Sequence, residues 1–134
     1  MTAPMTHRVF VYGTLKRNGS NHGLLIGASF MGETATRQRF RMISASFPVI
    51  LDKKDGWPVH GEIYHVNDEW LASLDRLERV GRLYDRKIAD VIENDREVKA
   101  HIYVGRLEYW KHTDMPPWHQ TNSNGELDWK QPTL

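Results

Sequence analysis

The feature that most limits what this chain can become is an unbroken apolar run, Val9-Phe10-Val11-Tyr12, that ends at Gly13. Four consecutive β-favouring residues with no polar alternate do not suit a half-wet sheet. They predict a first strand over His7–Tyr12 that is buried on both faces. The loop that follows, Thr14–Ser20, is rich in Gly, Asn, Thr and Ser. Gly tolerates close approach and unusual dihedrals, so such a loop can turn main-chain N–H groups toward an anion. The same residues also describe an ordinary tight turn after a buried strand, and taken alone they do not choose between the two.

The rest of the chain reads mainly as strand. His22–Ile26 is expected to form a helical turn capped by Asn21. Ser29–Arg41 alternates and is read as one long strand, with Arg37, Arg39 and Arg41 on a solvated face. Phe47–Leu51 is a short apolar segment that Pro48 keeps out of a central strand position. Val59–Val66 alternates again. Asn67 or Asp68 then caps a helix carrying Trp70, Leu71, Leu74 and Leu77 on one face, with Gly81 as its stop. Tyr84–Ile92 and Val98–Val104 form a hairpin around Glu93-Asn94-Asp95-Arg96. Beyond Gly105 the periodicity decays, and Trp110, Trp118 and Trp129 are expected to lay a tail over the core.

These elements imply an α+β, mainly β fold: a small mixed β-barrel of about six strands with one main helix and an aromatic C-terminal tail. The expected division is a flexible N-terminus (1–6), a folded domain (7–105) and a tail packed on it (106–134), within the 134 residues natural for one domain. A net charge of +1 does not support nucleic acid or a membrane surface as partner. With no cysteine there is no disulfide framework, no thiolate metal ligand and no cysteine nucleophile. No stretch approaches the ~20 apolar residues of a membrane helix, and no signal-like apolar region opens the chain. The expected setting is cytoplasmic, and the expected state is a monomer or weak homo-oligomer. His112, Asp114 and His119 match no familiar metal-ligand spacing and are read as incidental loop residues.

Two segments carry a resemblance. The first is Val11-Tyr12-Gly13-Thr14-Leu15-Lys16-Arg17, followed by Asn21-His22. The second is Leu74-Asp75-Arg76-Leu77-Glu78-Arg79-Val80-Gly81-Arg82-Leu83-Tyr84-Asp85-Arg86. Together with Ala100-His101-Ile102-Tyr103-Val104, they resemble the γ-glutamylcyclotransferase superfamily, and most closely its γ-glutamylamine cyclotransferase (AIG2-like) branch, over roughly Arg8 to Gly105. There a YGTLxRG-type loop follows the first strand, and an LDxxE segment carries the catalytic glutamate. Two positions depart from the pattern. Asn18 stands where Gly is usual, with Gly19 one place later, and Val80 stands where a Gly or small residue is common.

The resemblance implies a reaction in which the α-amine of a γ-glutamyl group attacks its own γ-carbonyl, giving 5-oxoproline and a free amine. The residue types agree. A protonated α-amine needs a base before it can attack, and one carboxylate can take that proton and return it to the leaving nitrogen. Glu78 is the candidate catalytic residue; read from helix position alone it would be a solvated carboxylate at a helix end. Main-chain N–H groups of Gly13, Thr14 and Leu15 are candidates for the substrate carboxylate and the developing oxyanion. Tyr12 and Tyr103 are candidate pocket walls, and Tyr84 is a candidate donor to substrate or support for Glu78, although all three also read as core or rim aromatics. Lys16 and Arg17 are read as solvent-facing, with ligand contact as the alternative. Asn21 and His22 are read as loop-stabilising. The partner expected is a small γ-glutamyl molecule; no metal, nucleotide or organic cofactor is implied. The alternative is a non-catalytic module on the same fold that binds a carboxylate ligand or a protein.

Overall fold

A computed structural model of the chain describes residues 4–131. Residues 1–3 of the segment expected to be loose, and 132–134 of the tail, lie outside that range. The first strand, β1 (His7–Val11), leads into Tyr12, and Val9, Phe10, Val11 and Tyr12 are all buried. The strands that follow are β2 (Ser29–Ala35), β3 (Phe40–Ser44), β4 (Pro48–Asp52), β5 (His60–Val66), β6 (Tyr84–Glu93), β7 (Arg96–Gly105) and β8 (Pro117–Trp118). The main helix is α1 (Asp68–Leu77), α2 (Leu107–Trp110) is a single turn, and His22–Leu25 is a 3-10 turn. Among the described residues no helix is long and apolar enough to cross a membrane.

Five strands form one sheet in the order β2-β5-β1-β7-β6, and β4-β3-β8 form a second. β1 is central, antiparallel to β5 and parallel to β7. Its two faces serve two cores. Phe10 and Tyr12 pack with Ile63, Ile102 and Trp129, while Val9 and Val11 pack with Leu71, Leu74, Tyr84 and Tyr103 beneath α1.

The large sheet curls until its two edges meet, but the seam is not a ladder. Ile92 N–H donates to Thr34 Oγ1 at 3.2 Å, Asp90 N–H to Gln38 Oε1 at 3.0 Å, and Arg37 N–H to Asp90 O at 2.9 Å. Side chains thus satisfy edge groups that would otherwise be unpaired, and the barrel form implied by the sequence is reached without continuous strand pairing.

The single long strand expected over Ser29–Arg41 does not form. Thr36 turns the chain out of the sheet: its hydroxyl donates to Gln38 O at 2.8 Å and accepts from Val59 N–H at 2.9 Å. Such local side-chain bonding competes with a ladder, and the chain re-enters as β3 in the other sheet. The arginines that seemed to share a stripe therefore sit in different surroundings. Arg37 pairs with Glu97 at 3.0 Å and Arg41 with Asp55 at 2.8 Å.

Asn67 caps α1, accepting from Trp70 N–H at 2.9 Å. The other end differs from expectation. Arg79 N–H donates to Arg76 O at 3.2 Å and Val80 N–H to Asp75 O at 3.1 Å, a Schellman ending with Arg79, at φ +49°, in the left-handed position. Gly81, the expected stop, lies two residues further on. A left-handed non-glycine residue costs on the order of 1 kcal/mol, so the turn that presents Glu78 is held against backbone strain. The hairpin between β6 and β7 is tighter than expected. It turns on Asn94 and Asp95 alone, both with positive φ, residues that tolerate this conformation.

The tail is part of the core. Trp129 is 1% exposed and donates through Nε1 to Ser44 Oγ at 2.8 Å, and Trp110 is buried against Tyr84. Trp129→Ala should cost about 3–5 kcal/mol through the cavity it leaves; urea unfolding followed by circular dichroism reads the loss.

Candidate active site

The loop after β1 is built by close approach. A Cβ on Gly19 would meet Thr14 O at 2.2 Å, and one on Gly13 would meet the Pro48 ring at 2.6 Å. Asn18, at the position where the resemblance leads one to expect Gly, adopts φ +71°, a conformation Asn tolerates better than most residues. The loop is also pinned on both sides. Buried Glu62 of β5 accepts from Arg17 N–H at 3.0 Å and Arg17 Nε at 3.3 Å, and from the Tyr64 hydroxyl at 2.9 Å. Lys16 Nζ reaches across to donate to Trp129 O at 2.7 Å. Lys16 therefore faces inward as an anchor, while Arg17 stays exposed to solvent, as expected, and reaches in to Glu62.

Within the loop, Asn21 holds the turn from inside. Its Nδ2 donates to Thr14 Oγ1 at 2.9 Å and its N–H to Thr14 O at 2.9 Å. It makes no side-chain cap on the 3-10 turn. Lys16 N–H donates to Gly13 O at 3.0 Å, so the carbonyls of Gly13 and Thr14 are consumed as acceptors. The N–H groups of Gly13, Thr14 and Leu15 donate to nothing in that turn network.

Beside this loop lies a cavity of about 370 Å³, at the small end of the range for small-molecule sites. Its wall brings together every residue singled out from the sequence: Tyr12, Gly13, Thr14, Leu15, Glu78, Tyr84 and Tyr103. Glu78 is the C-cap of α1, in ordinary right-handed conformation, immediately before the left-handed Arg79. It is half-buried, and burial pushes its carboxyl from 4.5 up to about 7. Among the described residues no side chain hydrogen-bonds or ion-pairs with that carboxyl. The neighbouring phenols are engaged elsewhere. Tyr12 donates to Tyr103 O at 2.6 Å, Tyr84 makes a long 3.4 Å contact to Pro48 O, and Tyr103 donates to Asp75 Oδ1 at 2.7 Å. Burial holds all three phenols above the usual tyrosine range, and the nearby Glu78 charge adds to this at each.

Leu77 and Leu83, from the second motif segment, also line the cavity. Other lining residues have no signal in the motifs: Ser46 and Phe47 precede β4, Pro48 opens it, and Gln131 arrives from the tail, accepting from Ser20 N–H at 3.2 Å. Glu62 could have been noticed: it shares the alternate positions of β5 with buried Tyr64 and Val66, and an acid on an apolar face needs a partner. A second cavity, about 450 Å³, shares Gly13 and Gln131 with the first. It is lined by Lys16, Arg17, Glu33, Glu62, Asp128 and Lys130, and these charges largely pair with one another. The first cavity brings together an acid and main-chain N–H groups that have no partner among the described residues, and is the one equipped for chemistry.

A buried strand, a pinned glycine loop and a desolvated helix-end glutamate together are the frame of a γ-glutamyl cyclotransferase, and the comparisons agree. The family model described as Gamma-glutamyl cyclotransferase, AIG2-like, matches residues 9–130, and the chain belongs to this family. The match runs through the tail, beyond the Gly105 limit of the motif resemblance. A Homo sapiens protein named gamma-glutamylaminecyclotransferase is 31% identical over 141 residues, covering 92% of this chain and 91% of its own length. The crystal structure of an AIG2-like protein from Mus musculus superposes with a TM-score of 0.75 at 26% identity, covering 95% of this chain and 98% of that one. An uncharacterised protein from Pyrococcus horikoshii shares the fold, with a TM-score of 0.63 at 21% identity and 91% of this chain covered.

The buried acid has a consequence for stability. A carboxyl whose folded pKa is raised binds its proton more tightly in the folded state. It carries no penalty below about pH 4.5, and a penalty that grows until about pH 7. Glu78→Gln removes that penalty. The variant should match the parent near pH 4 and melt at higher temperature at pH 8, by a margin of no more than roughly 3 kcal/mol. Calorimetry across that pH range checks both the sign and the window.

Proposed function

We propose that the chain cleaves γ-glutamyl amines by intramolecular aminolysis, releasing 5-oxoproline and a free amine. The observation that carries this reading is the single unpaired, half-buried carboxyl of Glu78 in one cavity with the N–H groups of Gly13, Thr14 and Leu15. The ionised carboxyl takes a proton from the substrate α-ammonium. The freed nitrogen attacks the γ-carbonyl carbon, and a C–N bond closes a five-membered ring. The carbonyl oxygen gains negative charge, which fixed main-chain donors stabilise without having to reorganise. The original C–N bond then breaks, the protonated Glu78 returns its proton to the departing nitrogen, and the ring nitrogen sheds its remaining extra proton, which the amine product takes up to leave as an ammonium. No protein nucleophile or water is consumed, and holding the substrate folded supplies much of the rate gain.

Two features support a leaving nitrogen with no carboxylate beside it, as in an alkylamine or the ε-amine of lysine, rather than the α-amine of an amino acid. Leu77, Leu83 and Phe47 make that part of the lining apolar, and among the described residues no Lys, Arg or His borders the cavity to meet a carboxylate next to the scissile amide. The name of the human relative points to the same class of substrate.

The test is 5-oxoproline release from γ-glutamyl-ε-lysine, a γ-glutamyl alkylamine, γ-glutamyl dipeptides and glutathione. Turnover should favour the first two, and silence on the whole panel would refute the activity. Glu78→Gln should lose roughly 10²–10⁴-fold in turnover. Because the base must be ionised, kcat/KM should fall as pH drops below about 7.

A further inference from the structure

Asp75 lies three residues before Glu78, on the same side of the last turn of α1. It is tied to two neighbours at once. The Tyr103 hydroxyl of β7 donates to Asp75 Oδ1 at 2.7 Å, and Arg86 Nε of β6 donates to the same oxygen at 3.0 Å. Tyr103 and Arg86 are themselves directly opposed in the β6–β7 ladder. Arg86 is steadied further by His101 Nδ1 at 3.0 Å, whose ring faces His7 of β1. The phenol so held belongs to a side chain that lines the Glu78 cavity.

We propose that Asp75 is a positioning residue: with Arg86 it holds the Tyr103 hydroxyl to the helix and keeps that phenol from donating to the Glu78 carboxyl. This rests on the reading of Glu78 as the acid/base. The titratable groups facing Glu78 are Tyr12 from the end of β1, Tyr84 from β6 and Tyr103 from β7, with Asp75 on its own helix. The hydroxyls of Tyr12 and Tyr84 turn to main-chain carbonyls, so Tyr103 is the phenol whose direction a side chain decides. A hydrogen bond donated to a carboxylate favours its charged form. A released phenol would therefore make Glu78 a weaker base at neutral pH and a poorer acid toward the leaving nitrogen.

The test follows the titration of Glu78 by NMR with 13C-labelled glutamate, assigned by Glu78→Gln. It needs no turnover, so its result stands apart from the substrate panel. Asp75→Ala should lower the Glu78 midpoint by about one pH unit or more, and the acid limb of kcat/KM should move with it. Asp75→Ala with Tyr103→Phe should restore the midpoint toward that of the parent. If the double variant shifts as far as the single, the lost charge and not the phenol is responsible, and the proposal fails. It also fails if Asp75→Ala leaves the midpoint unmoved. Tyr103→Phe alone keeps the test decisive should Asp75→Ala not fold. The proposal requires an unchanged midpoint, and a rise would show that the phenol already bonds to Glu78 in the parent protein.

Discussion

A half-buried carboxyl with no partner among the described residues is the constraint around which this structure is arranged. Such a group is costly, and among the described residues Glu78 has neither a paired cation nor a hydrogen-bond donor. Three tyrosines surround it, yet each hydroxyl is committed elsewhere: to Tyr103 O, to Pro48 O and to Asp75. The helix ending that carries Glu78 also runs through a left-handed Arg79. Unpaired burial and local backbone strain at one turn are a common signature of a site where packing serves chemistry rather than stability.

The facing loop shows the opposite economy, with every support doubled. Its shape is dictated by contacts at Gly13 and Gly19 that admit no Cβ. Its position is dictated by Glu62 on one side and the tail on the other, through Arg17 and Lys16. Acids and bases are paired here, and the loop is rigid as a consequence. A rigid donor array opposite an unpaired acid is what electrostatic preorganisation requires. The C-terminal segment therefore helps to place the cradle, which explains why the family match continues through it.

Much of this was legible in the residues. The burial of β1 on both faces followed from four apolar residues in succession, and the hairpin, the cap at Asn67 and the aromatic packing of the tail followed from local patterns. That seven residues from three separate segments would line one cavity was legible because those segments pointed to one chemistry. Three things were hidden. Thr36 ended a strand that perfect alternation seemed to continue, since a hydroxyl can satisfy backbone groups that the pattern assigns to a ladder. Arg79 took the left-handed role that composition assigned to Gly81. Lys16 turned inward, because its carbonyl partner lies far along the chain at Trp129.

The sequence by itself determined which groups could do chemistry: one glutamate at a helix end, a glycine loop after a buried strand, and no thiol to compete. Local spacing and residue type suffice for that, because they act over a few positions. Only the tertiary structure decided that the glutamate is half-buried, that the three phenols around it bond elsewhere, and that Phe47 and Gln131 complete its cavity. Desolvation and hydrogen-bond direction depend on which distant segments converge on a point, and that is a property of the packed chain rather than of any stretch within it.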